Sequence, residues 1–418
     1  MESPGVEAEG LTGVGGGTTP PRVSRVRLAT MGLLAIGVMA PVTLPVPVLR
    51  ELVGERFQVS ELLTSLFMSV NMIGAALTAP LAGALADRIG SRRPLVIAAL
   101  LVDALCFIAM TAHVPFGVFL AIRFFEGCAH IFALSLLLSI AASLGGERGR
   151  GTTMGITGAG MMLGVALGAP IGGVLGRVDT LQPLVAGAGL LATVAALAAA
   201  SLLDPPSTGH RPGAAAIWRT VKENRSIVAP LIFAFADRFT VGFYTTTFSL
   251  FASGLHGASP PQVGLWISAF MVPFALLSFP FGVLADRFSK TLLLCGGSAI
   301  YGVLTATLGF WPKEWIGPGM ATIGMTAAVM FVPSMLMTTD LTPPQIRSTA
   351  LGAFNTAGSL GFILGPLTGG LVSETVRASH GAASGYQAAF GVAGVAEILC
   401  ALIALPYLLR LRASGRTS

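Results

Sequence analysis

The segment Gly83-Ala84-Leu85-Ala86-Asp87-Arg88-Ile89-Gly90 recurs as Gly282-Val283-Leu284-Ala285-Asp286-Arg287-Phe288-Ser289, 199 residues later. Each copy follows the second long apolar run of its part of the chain. A second correspondence has nearly the same spacing: Arg150, Gly155, Gly164, Gly168, Gly172 and Gly173 map onto Arg347, Gly352, Gly361, Gly365, Gly369 and Gly370 at an offset of 197. Two unlike motifs at almost one offset mark a duplicated unit, and a duplicated apolar unit places a ligand site between its copies.

The composition says what surrounds the repeat. Of 418 residues 53% are hydrophobic and only 11% charged, against about 25% charged in a soluble domain. Lipid must therefore be the solvent for most of the chain. Gly accounts for 53 residues, well above the usual share of about 7%, and small residues let membrane helices approach closely. Cys106, Cys128, Cys295 and Cys400 lie inside apolar runs without disulfide or metal spacing and read as core residues. The net charge of +6 comes from scattered loop residues with no basic stripe, so nucleic acid is not an expected partner.

A membrane crossing needs about 20 apolar residues, and twelve runs qualify: roughly 28–49, 62–85, 94–112, 114–143, 151–176 and 181–203, then 227–252, 262–285, 291–311, 315–338, 348–373 and 386–409. The expected organisation is a disordered tail over 1–26, a six-helix bundle over 27–203, a linker over 204–226, a second bundle over 227–410 and a tail over 411–418. The first tail, with Glu2, Glu7 and Glu9, lacks the basic start of a signal peptide. Alternate loops on the side of both termini hold 18 of the 25 basic residues and the opposite side five. That bias predicts a multi-pass inner-membrane protein with both termini and the linker in the cytoplasm.

Over residues 28–409 the chain resembles the major facilitator superfamily. Gly83-x-x-x-Asp87-Arg88-x-Gly90-x-Arg92-Arg93 matches the superfamily's loop signature between helices two and three. Leu120-x-x-Arg123-x-x-Glu126-Gly127 is similar to the helix-four motif of proton-coupled members, with Glu126 where Gln is more usual. Gly164-x-x-x-Gly168-Ala169-Pro170-x-Gly172-Gly173 resembles the helix-five motif of drug/proton antiporters, and Gly361-x-x-x-Gly365-Pro366-x-x-Gly369-Gly370 repeats it in helix eleven. The first run carries Thr43 among Pro41, Pro45 and Pro47 but no acid, where many multidrug members have one. The resemblance implies an all-α membrane fold of two pseudo-symmetric six-helix bundles, with helices one, four, seven and ten lining the central cavity.

An unpaired charge at a membrane-helix centre costs about 2.5–3.5 kcal/mol on insertion scales, so the embedded ionisable residues Asp103, Arg123, Glu126, Asp237, Arg238 and Glu397 are candidates. Arg123, Glu126 and His130 share one helical face and are assigned to proton coupling, the alternative being a packing ion pair. Asp237 shares a face with Phe233, Thr240 and Tyr244, and these with Arg238 are assigned to substrate. Arg238 projects about 100° from Asp237 and is expected to pair across the halves. Asp103 and Glu397, on peripheral helices, are expected to hydrogen-bond within a half; Asn71 either lines the cavity or joins helices.

Gly83, Asp87, Arg88, Gly90, Arg92 and Arg93 are expected to form a conformational latch, with Glu147 as a partner and Asp286 and Arg287 as a weaker copy. Gly164, Gly168, Pro170, Gly173, Gly361, Gly365, Pro366, Gly369 and Gly370 are expected to bring the halves together. No nucleotide, zinc or hydrolase motif is present, so neither cofactor, metal nor enzyme activity is expected. The reading is a monomeric proton-coupled exporter of small organic compounds of amphiphilic or cationic character. Proton symport of a polar metabolite is the alternative within transport, and a non-transporting membrane sensor or assembly protein the alternative outside it.

Overall fold

The computed structural model describes residues 24–89, 91–144, 146–203, 214–285, 287–343 and 346–413, and these are helical almost throughout. In the first half, helix one is Arg25–Thr43, helix two Glu61–Ile89, helix three Arg93–Ala109, helix four Phe116–Leu144, helix five Gly146–Gly176 and helix six Gln182–Ser201. In the second, helix seven is Val228–Thr245 continued by Thr247–Gly254, helix eight Pro260–Ala285, helix nine Lys290–Thr307 and helix ten Lys313–Asp340. Helices eleven and twelve are the limbs 347–380 and 382–413 of one helical stretch, divided where Gly381 takes a φ of 85° that favours glycine.

Among the described residues ten stretches are long and apolar enough to cross a membrane. One of them, Thr349–Leu411, holds both limbs about Gly381, and the 17-residue helix three is a crossing too short to be counted with the others. The passes therefore number twelve. The polar stretch between the halves contains a helix that its composition did not announce, Ala214–Glu223, with Trp218 exposed.

Proline and glycine shape the bundle locally. Pro45 and Pro47 bring no backbone N–H, and helix one ends at Thr43 in the short 3-10 turn Val46–Val48. Helix seven breaks at Thr246 (φ −131°, ψ −72°), where the Thr245 and Thr246 hydroxyls donate to the Gly242 carbonyl at 2.9 and 3.0 Å. Those bonds satisfy backbone that would otherwise be orphaned in lipid.

Within each half the repeated glycines do one job twice. Helix five packs on helix one, with Gly164 against Ile36 and Ala40 and Gly168 against Ala40 and Thr43. Helix eleven packs on helix seven, with Gly361 against Phe235 and Phe239, Gly365 against Phe239, and Gly369 against Thr247 and Phe243. The expectation that these motifs join the halves is thus corrected: most of their glycines face a helix of their own half. Only the last of each reaches over, Gly173 to Pro260 and Gly370 to Leu62 and Ser65. Pro170 also faces the other half, against Gly264, whereas Pro366 faces Gly242 of its own.

Contact between halves runs through helix five on helix eight and helix two on the limb 347–380. Several bonds cross toward the end away from the linker. Ser249 donates to the Val46 carbonyl at 2.6 Å, Ser268 to Ala166 at 2.7 Å and Ser69 to Ile363 at 2.8 Å. At the tip, Glu61 of helix two accepts from Tyr386 at 2.5 Å, from Ser373 at 3.0 Å and from the Arg377 guanidinium, while Glu374 caps helix two by accepting from the Leu62 N–H at 3.0 Å. At the linker end Arg92 bonds to Ser143, Arg93 to Ala199, Arg347 to Thr339 and Lys290 to Asp340, each within its own half. The halves are thus joined at the far end.

Candidate functional site in the two membrane-embedded polar clusters

Helix four carries the first cluster because Arg123, Glu126 and His130 recur at helical spacing on its buried face. Arg123 Nη1 donates to Glu126 Oε2 at 2.7 Å, and Asn71 Nδ2 of helix two donates to the same oxygen at 2.5 Å. The guanidinium also lies 4.3 Å from the Phe67 ring centroid, a cation–π contact that offsets part of its desolvation. Arg123 and Glu126 are 1% and 2% exposed, so this is a closed pair held in low dielectric.

One turn further, His130 Nδ1 meets Asp103 Oδ2 of helix three at 3.1 Å. The outer atoms of that pair, His130 Nε2 and Asp103 Oδ1, are buried without a partner. Asp103, Glu126 and His130 bring ligand-type atoms within 4.8 Å of one another. That donor set would suit a metal only if the Arg123 guanidinium, already bound to Glu126, moved aside. As it stands the cluster is the Arg123–Glu126 ion pair beside a His130–Asp103 pair, spanning helices two, three and four. Asp103 and Asn71 complete it, and the sequence assigned neither to the site.

The second cluster belongs to helix seven. Phe233, Asp237, Thr240 and Tyr244 are all buried, and Tyr244 and Thr240 bond to helices nine and twelve. Tyr244 shares a 2.7 Å hydrogen bond with Thr305, Thr240 donates to the Ala393 carbonyl at 3.4 Å, and Glu397 accepts from Ser298 at 2.6 Å.

Arg238 departs from expectation. It does not pair across the halves; its Nε turns back to Asp237 Oδ2 at 3.3 Å, since a long side chain spans the 100° offset at little cost. It keeps 28% of its side chain accessible and lies 5.1 Å from the Phe331 ring and 5.4 Å from the Phe362 ring. Phe331 further meets Phe274 and Phe354 at 5.5 and 6.5 Å. This aromatic frame brings helices eight, ten and eleven around Arg238 of helix seven and escaped the sequence reading, because its phenylalanines come from three separate runs.

Of the latch set, Gly90 and Asp286 lie outside the described residues, as do the side chains of Gly83, Asp87, Arg88 and Glu147. Arg92 donates to Ser143 of helix four at 3.0 Å and Arg93 to the Ala199 carbonyl of helix six, both within the first half. Arg287 is exposed. Thr43, the polar group of helix one, donates to the Val165 carbonyl of helix five at 2.8 Å and so joins helices.

Comparison with known proteins now bears on these twelve passes and two clusters. The family model described as Major Facilitator Superfamily matches residues 31–256 and 230–418. An uncharacterized MFS-type transporter of Methanocaldococcus jannaschii is 26% identical over 184 residues, covering 44% of this chain and 45% of that one. The match thus spans under half of that relative's length. A bacterial homologue of the human lysosomal transporter Spinster, in an inward-facing and unoccupied conformation, superposes with a TM-score of 0.76 at 17% identity, over 94% of this chain and 99% of that one. A D-xylose–proton symporter does so at 0.66 and 18%, over 90% and 95%. At such identities the structural likeness is one of fold. Because the family model covers nearly all of its length, the chain belongs to the Major Facilitator Superfamily and is a multi-pass membrane protein.

Proposed function

We propose that the protein is a proton-coupled exporter of small organic amphiphiles that works by alternating access as a monomer. The observation that carries this reading is the buried Glu126, bound to Arg123 and Asn71 on a helix that lines the cavity in the resembled fold. An ionised carboxylate beside a fixed cation is its unprotonated form. Protonating Glu126 would release Arg123, and in the state that opens the other way the two can exchange a proton for substrate. His130 and Asp103 extend the cluster as a relay. The repeated glycine motifs on helices five and eleven, similar to those of drug/proton antiporters, support export.

Sidedness follows from the 18 to 5 basic bias, which puts the linker 204–226 and both termini in the cytoplasm of the inner membrane. The state with its far end shut is then inward-facing. Asp237 was assigned to bind cations, yet its carboxylate is held by Arg238 and faces helices nine and twelve. The accessible group is the Arg238 guanidinium within its frame of phenylalanines, which suits an aromatic amphiphile bearing a hydrogen-bond acceptor. Phe233, Thr240 and Tyr244 support that wall from behind.

A growth-inhibition panel of an expressing strain identifies compounds, and proteoliposomes then test coupling. Glu126→Gln keeps size and hydrogen bonding but fixes a neutral group. Exchange of substrate down its gradient should persist while uphill transport driven by ΔpH is lost. Uphill transport by Glu126→Gln would place the proton carrier elsewhere. Entry of protons together with substrate would establish symport instead.

A further inference from the structure

The helix Ala214–Glu223 stands between the two halves and takes no part in either cluster. Its end is built by Asn224, whose backbone N–H and side-chain amide both donate to the Thr220 carbonyl, at 2.9 and 3.0 Å. The chain then passes through the 3-10 turn Arg225–Ile227 straight into helix seven. Thr220 is buried and marks the face turned to the protein, where the helix packs on the stretch 347–413. The Tyr407 hydroxyl donates to the Arg225 carbonyl at 3.5 Å, which sets this contact at the end of helix twelve.

The opposite face combines two kinds of side chain. Trp218 is 72% exposed, and the exposed Lys222 follows it by four residues, on the same face. Arg219, a further 100° round, and Arg225 in the turn are exposed as well. Arg410, about one turn beyond Tyr407 on helix twelve, adds a fourth exposed cation, and Glu223 is the exposed acid beside them. Helix twelve shows what lies alongside. It exposes Leu402, Ile403 and Leu409, and in a chain that spans a membrane such side chains meet acyl chains. The linker helix thus sits where the lipid-facing surface of helix twelve reaches the polar boundary of the bilayer. An indole exposed to water is disfavoured, whereas at headgroup depth its ring meets apolar groups and its N–H finds an acceptor. Basic residues around such a ring attract anionic headgroups at the same level.

We propose that the face of Ala214–Glu223 bearing Trp218, Arg219 and Lys222, with Arg225 and Arg410 beside it, is a docking surface for anionic phospholipid. Trp218 enters the interface, and the four cations hold phosphate-bearing headgroups. Charge complementarity selects this occupant. A zwitterionic headgroup brings no net charge, and a second copy of the chain would bring the same four cations to the same face. Because the helix leads directly into helix seven, bound lipid would hold the start of that helix, which carries Asp237 and Arg238, at a fixed depth. The surface belongs to the leaflet at the linker end and requires neither substrate, nor proton, nor a particular direction of transport.

The test is quenching of Trp218 by brominated lipid. Full-length protein is reconstituted in equal parts of phosphatidylcholine and phosphatidylglycerol, with bromine on the acyl chains of one lipid or of the other. The Trp218 signal is the difference between wild type and Trp218→Phe, in which the remaining tryptophans cancel. Brominated phosphatidylglycerol should quench it more strongly than brominated phosphatidylcholine at low salt, and high salt should bring the two together. Arg219→Gln, Lys222→Gln and Arg225→Gln should each lower the preference, by up to about fivefold, and the three together should abolish it. All three side chains are exposed, so Tm should stay unchanged. Equal quenching by the two lipids at low salt overturns the proposal, as does a preference that survives the triple variant. Quenching by aqueous iodide rather than by lipid would place Trp218 in water, and protection from both would mean that protein, such as a second copy, covers it. Either result also overturns the proposal.

Discussion

The two ends of the molecule are held in different ways. At the far end Glu61 joins helix two to Ser373, Arg377 and Tyr386 of the second half, and Glu374 returns a cap to Leu62. At the linker end Arg92 bonds to Ser143 and Arg93 to the Ala199 carbonyl, within their own half. The loop motif lies at the linker end, whereas the carboxylate that gathers the bonds between the halves at the far end belongs to no motif. Closure here is a matter of a few charge-assisted bonds around one carboxylate, which a modest change in free energy can undo.

The largest expected effect comes from removing that carboxylate. Charge-assisted hydrogen bonds contribute about 1.5–3 kcal/mol each, less where they are partly exposed, as Arg377 is. Loss of Glu61 should shift the balance toward the far-open state by roughly ten- to a hundredfold, since about 1.4 kcal/mol is a factor of ten. In a background without native cysteines, Ser65→Cys reports this: Ser65 is fully buried against Gly370. Its labelling by an impermeant maleimide from the far side should accelerate by that factor in Glu61→Ala and by less in Glu61→Gln. An unchanged rate would mean that the clamp does not hold the seam.

Glycines sharpen the contrast between a seam and a core. Gly370→Leu places bulk between the halves, whereas Gly365→Leu places it against the Phe239 backbone inside one half. Overpacking costs about 1–3 kcal/mol in either place, but it should be expressed differently. Gly370→Leu should raise Ser65→Cys labelling with little change in Tm, and Gly365→Leu should lower Tm with little change in labelling. Equal losses of Tm would remove the distinction.

The smallest effect is expected at the linker end. Asp87→Asn should leave Ser65→Cys labelling within about threefold, the range of an exposed ion pair, while slowing turnover with substrate affinity nearly intact. A large affinity loss at normal turnover would end the latch reading of Asp87.

What the sequence disclosed follows the range of the interactions. Helical crossings, the glycine repeat and the shared face of Arg123, Glu126 and His130 depend on spacings of a turn or a few turns, so they could be read directly. The Glu61 clamp joins residues 312 to 325 positions apart, and Glu61 by itself looks like an ordinary acid opening a helix, where the dipole favours it. Asp103 and Glu397 were rightly expected to bond within a half. Their partners, His130 and Ser298, depend on how helices three and twelve are rotated, which nearly uniform apolar runs do not encode. The same uncertainty of rotation underlies the misassigned glycines: a small-residue stripe announces close packing but does not name the helix that fills it. The turn of Arg238 back onto Asp237 is a choice of rotamer, below what periodicity can resolve.

The central claim is that one seam opens at the far end only as it closes at the linker end. Spin-label pairs across helices five and eight test it at both ends: Val178 with Ser259 at the far end and Thr152 with Arg287 at the linker end, all exposed. Distance distributions by double electron–electron resonance, taken across a pH series in wild type and in Glu61→Ala, should move in opposite directions, the far pair lengthening as the linker pair shortens. If the far pair lengthens while the linker pair stays fixed, or the two vary independently, the halves do not rock about a common site and the alternating-access account is wrong.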